Sequence, residues 1–389
     1  MDQARVNKGA EADAGLATPG PWWDFLDPRR SGWLMALLVA APIAIGLRLA
    51  GAGPIWLFVA ACVAIIPLAG LMGRATEQLA ERLGPGIGGL LNATFGNAAE
   101  LIIALFALFN GLDDVVKASI TGSIIGNILL VMGASLVAGG LKYDIQKFNR
   151  TAAGTGATML VLAAFWMLVP AIFHGLPEVT TADVFLEHEL SVGVSIVLLA
   201  SYGAHLVFSL KTHKGLFNPT PDETDAGADA AHAHGPLWST RKAVAVLVGA
   251  TLFVAWMSEI LVGAVEGASH ELGLNAVFVG VIVVAIVGNA AEHWVAVLVA
   301  RKNKMDLAVN IAIGSSAQIA LFAVPVLVIC SFFIGPHPMP FVLNGFELGA
   351  IILAVLIANH VTNEGESHWF EGVQLLAVYV VLALGFYFA

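Results

Sequence analysis

Two carboxylates stand in stretches of chain that offer them no water. Glu100 closes the segment Gly96-Asn97-Ala98-Ala99-Glu100, and the same five residues return as Gly288-Asn289-Ala290-Ala291-Glu292, 192 positions later. Apolar chain continues from Leu101 to Phe109 after the first glutamate, and apolar runs at 276–287 and 294–299 bracket the second. In the middle of a membrane a carboxylate costs about 2.5–3.5 kcal/mol on the mildest scale, so its default reading is functional. The bland alternative, a glutamate merely satisfied by a neighbouring helix, would have to hold twice in identical motifs.

The residue types around these glutamates suit a hard cation. Ca²⁺ takes six to eight oxygens from carboxylates, amide carbonyls, backbone and water, and tolerates irregular geometry. Glu100 and Glu292 supply charge, and Asn97 and Asn289 supply neutral oxygen. Gly96 and Gly288 would let the helix loosen, so that backbone carbonyls turn toward the ion. At the same offset Gly122-Ser123 recurs as Gly314-Ser315, each pair on the helix after its motif. Ser123 and Ser315, with Ser316, Gln318 and Asn127, add further oxygen. Softer metals would call for Cys or clustered His. The two cysteines, Cys62 and Cys330, lie in separate apolar runs and form neither a disulfide framework nor a thiolate site.

The same carboxylates offer proton coupling. Two glutamates held together in a low-dielectric interior resist joint ionisation. They hold protons until a divalent cation replaces repulsion with attraction, and the protons then leave. Competition for one site makes an exchanger, provided the empty, unprotonated site reorients poorly. Glu77 and Glu259 are expected toward the cytoplasmic ends of the second and seventh helices as guides for ions or protons, against a plain surface placement. His293 follows Glu292 and would point about 100° away on a helix. It reads either as a proton shuttle or as a packed, hydrogen-bonded histidine. Glu347 and Glu371 are weaker candidates.

These residues need a membrane framework. Hydrophobic residues make up 58% of the 389 and charged residues 12%, too little charge to cover a soluble protein of this length. Apolar stretches fall at 33–50, 54–72, 87–110, 115–139, 152–173, 191–210, 241–265, 274–300, 305–333, 341–361 and 369–388, each near the ~20 residues a spanning helix requires. An all-α membrane protein of eleven transmembrane helices is therefore expected. With residues 1–32 placed in the cytoplasm, every Lys and Arg except Arg48 and Lys117 falls on the cytoplasmic side, as the positive-inside rule demands. The C-terminus then lies outside, and a bacterial inner membrane is the expected location. No cleavable signal is evident in 1–32, and Trp22, Trp23 and Trp33 read as interfacial anchors. The polar stretch 211–240, with Asp222, Glu223, His232 and His234, reads as a cytoplasmic connector, either regulatory through a bound metal or simply solvated.

The recurring motifs then define two repeats, 54–210 and 241–389, with 33–50 as an extra first helix. Each repeat holds five helices, two to six and seven to eleven. Five is odd, so the second copy enters the membrane inverted, a recurrent transporter design with the substrate held where the copies meet.

The chain resembles the cation exchanger family of Ca²⁺/H⁺ antiporters, within the larger Ca²⁺/cation antiporter superfamily. The resemblance rests on Leu91-Asn92-Ala93-Thr94-Phe95-Gly96-Asn97-Ala98-Ala99-Glu100, on Gly288-Asn289-Ala290-Ala291-Glu292-His293, on Gly314-Ser315-Ser316-Ala317-Gln318 and on Glu364-Gly365-Glu366-Ser367-His368-Trp369-Phe370-Glu371-Gly372. It implies eleven helices with the first outside a ten-helix core, cation binding by the two motif glutamates, and an acidic segment between halves, which here is sparsely acidic. Na⁺/Ca²⁺ exchangers of the superfamily carry Gly-Thr-Ser-x-Pro-Asp/Glu where this chain has Gly-Asn-Ala-Ala-Glu, and that departure favours protons as the coupling ion.

Other classes fit less well. The same fold could serve Na⁺, K⁺ or Mn²⁺, since all use oxygen ligands. An intramembrane metalloprotease would need a zinc set such as H-E-x-x-H, which the order Glu292-His293 does not supply. No nucleotide motif supports a primary pump, nothing points to nucleic acid, and a passive channel would show flux at channel-like rates. The expected partners are Ca²⁺, H⁺ and the lipid bilayer, with no resident cofactor. A homo-oligomer is neither required nor excluded by the sequence.

Overall fold

The structure, a computed structural model, describes residues 33–176, 184–213 and 238–388. The expected readings of the N-terminal segment, of Trp22 and Trp23, and of the acids and histidines at 222–234 lie outside those residues. In lipid the backbone has no water to bond, so apolar chain closes its hydrogen bonds within helices. A 3₁₀ turn at Trp33–Val39 leads into α1 (Ala40–Leu49), followed by α2 (Pro54–Phe95) and α3 (Ala98–Phe109). Next come α4 (Asp113–Gly140), α5 (Arg150–His174) and α6 (Val184–Val207), the last extended by a π-helical turn at Phe208–Thr212. The remaining helices are α7 (Thr240–Leu272), α8 (Ala276–Ala300), α9 (Met305–Cys330), α10 (Gly345–Thr362) and α11 (Trp369–Phe388). Among the described residues nine helices are long and apolar enough to cross a membrane, and Met35–Leu49 and Ala98–Phe109 are shorter apolar helices.

Straightened, the 42 residues of α2 would reach about 63 Å, twice the hydrocarbon thickness. The helix instead turns back on itself. A Cβ added at Gly88 would lie 2.6 Å from the Ala80 carbonyl oxygen, whereas eight residues of straight helix separate by about 12 Å. The crossing part runs as Pro54–Leu83, longer than the expected 54–72, and a short arm returns as far as Phe95. The helix breaks at Gly96-Asn97, with Asn97 at φ −101° and ψ 21°, before α3 resumes.

Helix α2 packs antiparallel to α7. Gly267 lies against Pro54 at one end, and at the other the Trp238 amide donates to Gln78 Oε1 at 2.7 Å. The turns gather at two polar ends. At one end β1 (Gln146–Lys147) pairs antiparallel with β2 (Glu366–Ser367). There Gln146 Nε2 donates to Ala300 O and Asn303 Oδ1, and the Asn149 amide donates to Asp306. At the other end Gly335 lies against Leu108, Asp113 faces His337 at 3.5 Å, and Asn344 and Glu347 form a capping box that starts α10. Between the ends the perimeter is apolar, with Phe165, Ile172, Val248, Leu252 and Val381 exposed, a surface that lipid covers.

Three helices near the centre carry π-helical turns, at Gly126–Val131 in α4, Val279–Val284 in α8 and Ile319–Ala323 in α9. Shifted by 192 positions, the first falls on the third within a residue. The second has an α-helical counterpart in the returning arm of α2.

Candidate ion-binding site between the two motifs

The break after Phe95 and the unbroken α8 bring the two motifs face to face. A Cβ at Gly96 would lie 3.7 Å from Glu292 Oε1, and one at Gly288 would lie 3.6 Å from Glu100 Cβ. Each glutamate therefore rests over the glycine of the opposite motif, within van der Waals reach of a Cβ placed there. Glu100 is buried and Glu292 half-buried.

Neutral polar groups surround them. Asn97 Nδ2 donates to Gln318 Oε1 at 2.8 Å, and Asn289 Nδ2 donates to Ser123 Oγ at 3.0 Å. Ser315 Oγ donates to Glu292 Oε2 at 2.5 Å. Ser123 and Asn289 lie beside the Glu100 carboxylate as donors, with Glu292 facing it, yet its oxygens make no close, well-aligned hydrogen bond, and Asn97 Oδ1 also stands unpartnered. Buried acceptors without partners are rare, because each forfeits its hydration. Together these three oxygens form an acceptor set suited to a hard cation. Among the described residues no three His, Cys, Asp or Glu side chains gather as a metal cluster. Two carboxylates supply the charge and amides and hydroxyls the rest.

Not every expected oxygen points inward. Ser316 Oγ turns to the backbone carbonyls of Ala312 and Ile124, at 2.9 and 3.4 Å. Asn127 Oδ1 accepts from His293 Nε2 at 3.0 Å, which commits that amide oxygen across the α4–α8 contact. His293 is thus a hydrogen-bonded histidine turned to α4, one of the two readings its position allowed. The expectation that both motif glycines loosen their helices holds at Gly96 only. At Gly288 α8 continues unbroken, and its irregularity lies one turn earlier, at Val279–Val284.

Glu77 is exposed on the crossing part of α2 and acts electrostatically on Glu292. Glu259 is different. The expectation that both lie toward the cytoplasmic ends of their helices is corrected by the antiparallel α2–α7 pairing. Glu77 lies near the Trp238 end, whereas Glu259 lies toward the opposite end, bonded to Arg48 of α1 at 2.7 Å. Sequence reasoning missed that ion pair and the β1–β2 pairing, and placed the turn between the second and third spans about ten residues too early. The first two depend on contacts between segments far apart in the chain that carry no local signal.

Long apolar helices around a carboxylate-bearing polar centre define the class of ion-translocating membrane proteins. The chain belongs to the sodium/calcium exchanger protein family, whose model matches residues 53–211 and 242–388. It is 48% identical over 333 residues to the Ca(2+)/H(+) antiporter ChaA of Bacillus subtilis (strain 168), covering 85% of this chain and 92% of that one. To the Ca(2+)/H(+) antiporter of Synechocystis sp. it is 45% identical over 372 residues, covering 92% and 98%. The solved structure of native YfkE superposes with a TM-score of 0.77 at 43% identity, covering 92% of this chain and all of that one. The H⁺/Ca²⁺ exchanger CAX shares the fold at 13% identity, with a TM-score of 0.67 and 92% of each chain covered.

Proposed function

We propose that the chain is a secondary active antiporter that exports Ca²⁺ from the cytoplasm in exchange for H⁺, the two competing for Glu100 and Glu292. The observation that carries this reading is the reciprocal seating of each glutamate on the opposite motif's glycine. A cation between them would be chelated by both halves of the chain at once. Asn97, Asn289, Ser123, Ser315 and Gln318 complete the oxygen set, and Gly96 and Gly288 give the carboxylates room. Names of relatives at 45–48% identity support Ca²⁺ and H⁺ as the exchanged ions.

The topology that serves this function has eleven spans, α1 standing outside two five-helix repeats of opposite orientation, α2–α6 and α7–α11. The matched motifs, the matched π-helical turns and the antiparallel α2–α7 pair support it. The N-terminus is cytoplasmic and the C-terminus outside, in keeping with the lysines and arginines around 142–150 and 301–304 at one polar end. Short α3, about 18 Å by its rise, spans only with the help of the returning arm of α2.

Ca²⁺ uptake into proteoliposomes under an imposed pH gradient tests the proposal. Uptake is expected to follow the gradient and to be lost in both Glu100→Gln and Glu292→Gln. Uptake indifferent to the gradient, or normal uptake by both variants, would refute the assignment.

A further inference from the structure

The polar end that holds the β1–β2 pair gathers cations for which the ion site has no use. Lys142, Lys147 and Arg150 lie between α4 and the first turn of α5, and Arg301, Lys302 and Lys304 lie between α8 and α9. The positive-inside rule accounts for the side of the membrane they share and for nothing more. The fold then joins the two loops. Buried Gln146 donates from Nε2 to Ala300 O at 2.9 Å and to Asn303 Oδ1 at 3.0 Å. Lys142 Nζ reaches the Arg301 carbonyl oxygen at 3.4 Å, and the Asn149 amide donates to Asp306. Basic loops from both halves of the chain become one surface.

Gathered charges of one sign repel, and the protein offsets them only in part. Among the described residues none of the six has an ion-pair partner, Lys147 included, although it stands in register with Glu366. The carboxylates of the neighbouring loops are Asp144, Asp306, Glu364 and Glu366, so cations are in excess. Glu371 is half-buried and faces His368 at 3.5 Å.

Apolar side chains stand exposed among these cations. Leu141 is 74% exposed and Ile145 55%. Gly140 packs directly on the Trp369 backbone, which sets Leu141 beside the start of α11, where Trp369 and Phe370 are exposed as well. Lysine and arginine stems can lie along such apolar groups while their charged heads stay at the interface. A partner that satisfies the whole surface has a negative headgroup and a hydrocarbon chain. A soluble phosphate would meet the cations and leave Leu141, Ile145 and Trp369 in water. A zwitterionic headgroup would bring a cation of its own.

We propose that the loop after α4 and the turn after α8 form a binding surface for anionic phospholipid, with headgroups bridging the two halves of the chain. No residue of the ion site takes part, so the surface stands apart from which ions are exchanged. Under the topology proposed above it meets the cytoplasmic leaflet, whose anionic lipids attract basic segments at a membrane edge.

Quenching by brominated lipid tests this in the full-length chain. A bimane fluorophore is placed on exposed Ile145→Cys, with Cys62 and Cys330 replaced by alanine, and a control on Phe333→Cys, 82% exposed at the opposite polar end. Nanodiscs with identical leaflets make the result independent of orientation. At equal mole fraction, brominated phosphatidylglycerol should quench the label at 145 about twofold or more above identically brominated phosphatidylcholine. That excess should vanish near 1 M salt, where charges are screened beyond about 3 Å. It should also vanish when Lys142, Lys147, Arg301 and Lys302 are all replaced by glutamine, and the label at 333 should show none. Equal quenching by the two lipids at 145, an equal excess at 333, or an excess that survives salt would each overturn the proposal. The salt series needs only the labelled parent, so it decides even if the fourfold variant does not fold.

Discussion

The carboxylates and their polar neighbours fall into two groups, those free for an ion and those already committed to each other. Asn127 and His293 belong to the second. Their 3.0 Å bond spans α4 and α8, so its loss should register as stability before transport. A double-mutant cycle of Asn127→Ala and His293→Ala, read by thermal unfolding, is expected to give a coupling of about 0.6–1.7 kcal/mol, the range of polar pairs between membrane helices. Glu77 acts on Glu292 through space. Glu77→Gln should weaken apparent Ca²⁺ affinity by about two- to fivefold without abolishing exchange, as befits ~0.5–1 kcal/mol through partly hydrated surroundings. That loss should shrink as salt screens the charge. On the proposed competition of protons and Ca²⁺ for Glu100 and Glu292, lowering cytoplasmic pH should raise the KM for Ca²⁺ more than it lowers the maximal rate. At this scale the sequence was most informative. The motif residues stand out because an ionisable group inside an apolar run has few innocent explanations. The hydrogen-bond partners of Ser316 and Asn127 were not legible, since a hydroxyl or amide can turn toward backbone, neighbour or ion with no change in sequence pattern.

Helices were legible by length and apolarity, but their interruptions were not. The expected gap at 73–86 corresponds to a reversal inside a continuous helical stretch, because glycine at 88 lets the backbone close on Ala80. Gly88→Ala is expected to cost about 1–3 kcal/mol through that collision, measured by thermal unfolding, whereas Gly46→Ala has open space around it and should be nearly silent. The π-helical turns likewise leave no signature in hydropathy, since one added residue per turn does not alter composition. Their placement on α4, α8 and α9 puts irregular backbone beside the glutamates, where such turns commonly serve function. The ion pair between Arg48 and Glu259 ties α1 to α7 with both side chains nearly half-exposed. It is a local fastening. Arg48→Ala should leave exchange intact and loosen α1, detectable as faster proteolysis ahead of Pro54.

The molecule as a whole is assembled across its halves rather than within them. Helix α2 finds its main partner in α7, the loop after α4 is tied to the turns after α8 and α10, and each motif glutamate leans on the other motif's glycine. The proposed repeat rests on two short identities at one offset. The contacts of its members could not be read there, because matched residues such as Asn97 and Asn289 find different partners in the folded chain. This cross-assembly has a consequence for the covalent chain. Residues 214–237 link the two halves covalently, and the contacts just described between the halves lie outside that stretch. A protease cut within that stretch should therefore produce two fragments that stay together through purification and still exchange ions. Neither fragment expressed alone should bind Ca²⁺, since each carries one of the two glutamates of the proposed site.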